Sequence, residues 1–127
     1  MHHPTDRHRV IAQAAHIIKT NGLWHGDWIP DPFNRRMDTP HHLRPMSVVA
    51  ALNCASTGDP RTPSNLSWAA MRTVARVVRV NGEPAWSESI EDQERHVDNW
   101  SDSHTAAYVV DLLESISGQR ASRAVAA

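Results

Sequence analysis

The segment from residue 23 to residue 44 constrains the fold of this chain more than any other. Pro30, Pro32 and Pro40 rule out a continuous helix there, and each pushes the residue before it toward extended backbone. Yet the same segment carries Leu23, Trp24, Trp28, Ile29, Phe33, Met37 and Leu43. That is more apolar surface than a solvated linker holds without exposing a large patch. Connections of this length without helix or strand are uncommon in compact domains and usually functional. The expectation is an ordered loop over residues 23–44, strapped across neighbouring helices by its aromatic side chains.

The rest of the chain reads as helix. Val10, Ile11, Ala14, Ile17 and Ile18 recur at the spacing of one helical face within residues 6–20. Thr5 is the expected cap and Asn21-Gly22 the expected stop. Pro45 suits the first position of a second helix over residues 45–56, whose Ala50, Ala51, Cys54 and Ala55 would admit a close neighbour. A third helix restarts at Thr62-Pro63 and runs to about residue 78. A fourth follows Ser89, with Asp92 three residues on, and runs to about Asn99. The last begins near Ser103–Thr105 and ends at Ser117-Gly118. Val77-Val78-Arg79-Val80 before Asn81-Gly82 also fits a strand entering a tight turn, with Ala85-Trp86 on the return. The fold class is therefore mainly α: an irregular bundle of four to five helices with a long ordered Pro/Trp/His-rich loop and room for one short β-hairpin.

At 127 residues the chain is expected to form a single domain over 1–127, with residues 1–4 and 119–127 disordered. The formal net charge of −1 provides no field to steer the protein onto a phosphate backbone, which argues against a general nucleic-acid binder. No apolar run approaches the length that crosses a bilayer, and the polar start Met1–Arg7 lacks the apolar stretch of a signal peptide. The expected location is cytoplasmic. Cys54, the single cysteine, excludes an intramolecular disulfide and any zinc site needing two thiolates from one chain.

Three stretches carry a resemblance. They are Lys19-Thr20-Asn21-Gly22-Leu23-Trp24, Arg44-Pro45-Met46-Ser47-Val48-Val49-Ala50-Ala51-Leu52, and Val97-Asp98-Asn99-Trp100-Ser101-Asp102 leading to Thr105 and a terminal amphipathic helix. In this order and spacing, over roughly residues 10–117, the chain resembles an uncharacterised actinobacterial domain-of-unknown-function family. That family usually has Cys and Gly where Ser47 and Ala50 stand, and Trp-Asn-Asp where Trp100-Ser101-Asp102 stand. A Glu that would complete a capping box after the Thr is Tyr108 here. The resemblance implies a helical fold and no established activity, and the departures speak against a nucleophile or ligand at position 47.

Two constellations in the loop could carry chemistry. His25, Asp27, His41 and His42 offer imidazole nitrogen and carboxylate oxygen, the donors of zinc and iron sites. On an extended stretch His25 and Asp27 would share a side, and one of His41 or His42 would complete a two-His, one-carboxylate set. The competing reading has these histidines hydrogen-bonding loop carbonyls and helix ends. Trp24 and Trp28, with Phe33 and Arg44, would line a cleft for a planar or anionic small molecule, or simply anchor the loop.

The remaining candidates weigh less. Cys54 lies among small apolar residues with nothing basic to activate it, and reads as an inert buried thiol. Ser47 lacks the glycines of a nucleophile elbow and reads as structural. Arg72, Arg76 and Arg79 form a basic stripe at helical spacing, read as a solvated face balanced by Glu88, Glu91, Asp92 and Glu94. The leading expectation is a small binding or accessory protein that recognises a partner protein or small ligand through the loop. The second is a metal-dependent enzyme or metal-binding protein using the His/Asp residues of the same loop.

Overall fold

A computed structural model describes residues 4–26 and 28–118. Of the residues expected to be disordered, 1–4 and 119–127, only Pro4 is among those described, at the start of the first helix; the others lie outside the described residues. Five α-helices follow in order: α1 Pro4–Asn21, α2 Val48–Thr57, α3 Asn65–Val77, α4 Ile90–Asp102 and α5 Ala106–Ser117, with one 3₁₀ turn at His41–Leu43. Among the described residues β-structure amounts to two isolated bridges, Leu23 with Met46 and Val80 with Glu83. The hairpin expected around Asn81-Gly82 is thus a tight turn only. Both residues are left-handed (φ 52° and 80°), and Trp86 pairs with no strand.

Helix α2 carries the longest unbroken run of buried residues. Val48 through Asn53 are all buried, so this stretch is covered on every side, and its one polar side chain, Asn53, donates to Pro60 O. Ala50 and Ala51 have no exposed surface, and their small side chains let neighbouring helices come close. α1 packs chiefly on α5 and α2, and α3 chiefly on α1 and α4. The shared core joins Ile11, Ala14 and Ile18 to Leu52, Met71, Val74, Val97, Trp100, Val109 and Leu113.

Helix boundaries follow caps more closely than proline positions. α1 begins at Pro4, one residue before Thr5. α2 begins after Ser47, not at Pro45: the Ser47 hydroxyl accepts from the Ala50 N–H at 3.1 Å, and Met46 is taken up by the bridge to Leu23. α3 begins after Ser64, in a reciprocal capping box with Ser67, two residues past Thr62-Pro63. Ser89 caps α4 as its spacing predicts, and α4 continues to Asp102. Gly58 ends α2 in the left-handed region (φ 85°), where its lack of Cβ removes the steric cost.

At the α4–α5 corner Trp100 is only 2% exposed and fills the junction. Capping the next helix falls to Thr105, whose hydroxyl accepts from the Tyr108 N–H at 3.2 Å, and not to Asp102, which closes α4. Truncating a buried aromatic costs about 3–5 kcal/mol, whereas losing a cap costs about 1 kcal/mol. Trp100→Ala should therefore unfold most of the protein at room temperature or lower Tm sharply, and Thr105→Ala should lower Tm by a few degrees. Calorimetry of the two variants checks the order; equal melting would place Trp100 outside the core.

Candidate functional site

Residues 22–47 leave α1 and return to α2 through backbone pairing at their base. Trp24 N–H donates to Met46 O at 3.0 Å, Met46 N–H to Gly22 O at 3.3 Å, and Ser47 N–H to Trp28 O at 2.8 Å. Ile29 is buried in the core, and Leu23 and Trp28 pack half-buried against it. Gly26 is required by close approach: a Cβ there would meet the Trp24 indole nitrogen at 2.9 Å, at a φ of 151°.

Above this base, residues 30–39 close around one side chain. Arg44 is 1% exposed. Its Nε–H donates to Thr39 O at 2.7 Å, Nη1 to Pro30 O at 3.1 Å and Asp31 O at 2.6 Å, and Nη2 to Asn34 Oδ1 at 2.7 Å and Met37 O at 3.1 Å. A guanidinium has five N–H donors, and all are spent on the loop. Arg44 therefore has none left for an anionic ligand. Its role is to satisfy carbonyls that prolines and turns leave without a ladder.

Asp31 supplies the complementary half. Its carboxylate accepts from the backbone N–H groups of Arg35 (3.0 Å), Arg36 (2.8 Å) and Met37 (2.7 Å). The bonds from Arg36 and Met37 come first in holding its pKa below the ordinary carboxylate value, with Arg35 and the Arg44 charge adding to them. Trp28, Asp31 and Asn34 all have positive φ (55°, 50° and 59°). Asp and Asn visit that region readily, whereas a bulky Trp there is strained by about 1–3 kcal/mol. The Ser47 N–H bond to Trp28 O and the packing of Trp28 hold it in place.

The geometry also assigns a proton. Arg44 only donates, so the Asn34 atom facing it is oxygen. His41 Nε2 lies 2.9 Å from that same oxygen and must carry a hydrogen. Only Nδ1 of His41 is left to bind a metal. His25 and His42 are exposed, and the His42 carbonyl accepts from Asn21 Nδ2 at 3.1 Å. Asp27 lies outside the described residues. Among the described residues, no three His, Cys, Asp or Glu side chains come together as a metal would need. His42 instead lines a cleft of about 500 Å³ with Arg9, Gln13 and Cys54. The Cys54 thiol is half-buried, and desolvation, with Asp59 second, pushes its pKa up. Ser47 is buried as the α2 cap.

The aromatic candidates part company. Trp28 faces the core, and Trp24 covers Gly26 while remaining 37% exposed. Phe33 is 71% exposed at the loop tip, with the guanidinium carbons of Arg35 and Arg61 at 6.0 and 5.8 Å from its ring centre. Arg61 was not singled out in the sequence. The α2–α3 turn delivers it: the Asp59 carboxylate accepts from Arg61 N–H at 2.9 Å and from the Thr62 hydroxyl at 2.8 Å. Asp59 and Pro60 are turn-forming residue types, but nothing local to Arg61 marks its proximity to Phe33.

A model of a family of unknown function, DUF6197, matches residues 2–117. The chain belongs to that family. No match was found among curated proteins or among solved structures. Among the described residues of this DUF6197 chain, no helix is long and apolar enough to cross a membrane.

Two outcomes are expected at this site. Lys has one compact charge in place of five fixed donors, and each buried carbonyl left unpaired costs about 1–3 kcal/mol. Arg44→Lys should thus lower stability more than loss of a helix cap does, and open the Arg35-Arg36 bonds to rapid trypsin cleavage that the parent resists. The second concerns pH. The folded pKa of Asp31 lies below its unfolded value of about 3.9. Its contribution is therefore present above the unfolded value and lost as pH falls through the folded one. Asp31→Asn should melt below the parent near neutral pH, and the gap should close in acid. Parallel melting curves across that range check the sign.

Proposed function

We propose that this protein is a small binding module that recognises a partner protein through the tip of its 30–39 loop. The observation that carries the reading is Phe33: a large aromatic ring, mostly exposed and flanked by two arginines, on a loop whose backbone is already fixed by Arg44. Aromatic residues and Arg dominate the energetics of protein interfaces. A loop ordered beforehand also avoids most of the ordering cost of binding. Leu43, 53% exposed, adds apolar surface on the same connection.

The charge around the ring selects the partner. Asp31 and Asp59 turn their carboxylates onto backbone N–H groups, while Arg35 and Arg61 stand beside the ring. A fitting partner offers an apolar pocket rimmed by carboxylates. The guanidiniums would steer it and fix its register, and the ring would supply most of the buried area.

A photo-crosslinking residue at position 33, with a control at exposed position 115, would identify the partner in cells. The purified partner should then bind Phe33→Ala at least about ten-fold more weakly than the parent, with Arg61→Glu weaker still and both variants melting like the parent. Undiminished binding by Phe33→Ala and Arg61→Glu would refute the loop-tip reading.

A further inference from the structure

The most exposed aromatic among the described residues lies far from the loop in sequence, in the connection between α3 and α4. Trp86 is 80% exposed, yet it is not loose: its Nε1–H donates to Glu83 Oε2 at 3.1 Å, tethering one edge and leaving a ring face open. The ring borders a cleft of about 270 Å³ whose other wall is α4, with Ser87, Asp92, Arg95, His96 and Asn99 among its lining. Residues 92, 95, 96 and 99 fall on one helical face by their spacing.

Those groups are varied in hydrogen-bonding character. The Asp92 carboxylate accepts only, and Arg95 Nη1 lies 3.5 Å from it and donates only. The Ser87 and Ser89 hydroxyls, then Arg95, hold the Asp92 pKa below the ordinary carboxylate value. Asn99 offers both a donor and an acceptor. His96 donates from Nε2 to Val78 O at 2.8 Å, which leaves Nδ1 as the acceptor of the neutral ring. Within the cleft the Asp92 and Arg95 charges cancel. On the adjoining face of α4, Glu91, Glu94, Asp98 and Asp102 line a neighbouring cleft with Arg95 and Asn99. That negative surround opposes phosphate and so disfavours nucleotides.

We infer that the Trp86–α4 cleft is a binding site for a neutral polyhydroxylated ring, a monosaccharide or one residue of a glycan. A sugar presents a C–H face that packs on an indole. Its hydroxyls each donate and accept, which matches a carboxylate beside a guanidinium with an amide next along the helix. The cleft volume suits a single ring and not a drug-sized ligand. The inference does not depend on the loop tip or on its partner.

The test uses uniformly ¹⁵N-labelled protein titrated with neutral methyl glycosides of glucose, mannose, galactose and N-acetylglucosamine, and with their linear oligosaccharides, at millimolar concentrations. At least one should move the Trp86 Nε1–H signal and the backbone signals of residues 85–99, saturably. Trp86→Ala, which removes an exposed ring and should melt like the parent, should weaken that binding at least ten-fold. Asp92→Asn and Arg95→Gln should each weaken it several-fold. Adenosine monophosphate should leave these signals still. The inference is overturned if no glycoside moves the Trp86 signal, if binding survives Trp86→Ala, or if the nucleotide binds as well as the sugars.

Discussion

The guanidinium of Arg44 is the interaction on which the loop depends. A segment with three prolines and three non-glycine residues at positive φ offers neither a helix nor a sheet to receive its carbonyls. Burying those carbonyls without donors would cost more than the apolar contacts of Ile29 and Trp28 recover. One planar cation with donors pointing in five directions resolves the conflict, since it pairs with Pro30, Asp31, Asn34, Met37 and Thr39 at once. Burying that cation is itself costly, and charge-assisted hydrogen bonds in a low-dielectric site offset the cost. The Asp31 carboxylate, fixed by three backbone N–H groups, adds attraction nearby.

The cation also joins the loop to the helices. Arg44 precedes Pro45 and Met46, and Met46 is fully buried while pairing with the chain that leaves α1. Ser47 then donates its N–H to Trp28 O and caps α2 with its hydroxyl. Four consecutive residues thus tie the loop interior, its base and the central helix together. The consequence for function is rigidity at the tip, where Phe33 stands exposed between two arginines. A ring held in that way is better suited to recognition than the same ring on a flexible strand.

The helices were legible because amphipathic spacing and caps are local. Ser89 and Gly118 could be read from sequence, since a cap needs only neighbours within a turn. The start of α2 was misread because Pro45 suits a first helical position. What moved the boundary was tertiary, the bridge between Leu23 and Met46. The candidate site was legible only in part. Apolar content marked the segment, yet periodicity cannot tell that Ile29 turns inward while Phe33 turns out. Arg44 read as a ligand-binding residue because an arginine among aromatics suggests an anion. Four of the five oxygens that engage it are backbone carbonyls, which leave no trace in residue identity. Arg61 escaped notice for a related reason, being 28 positions from Phe33 in the chain and brought beside it only by the α2–α3 turn.

The most direct test of this account is the nitrogen-detected NMR spectrum of the arginine side chains near neutral pH. If Arg44 holds all five donors, its Nη protons should appear as separate, slowly exchanging signals, because rotation of each NH₂ group would break two bonds at once. Exposed arginines such as Arg76 and Arg79 should give averaged, rapidly exchanging signals. Assignment by Arg44→Lys should remove the separated set. An Arg44 whose Nη protons average and exchange like those of Arg76 would contradict the claim that this residue organises the loop.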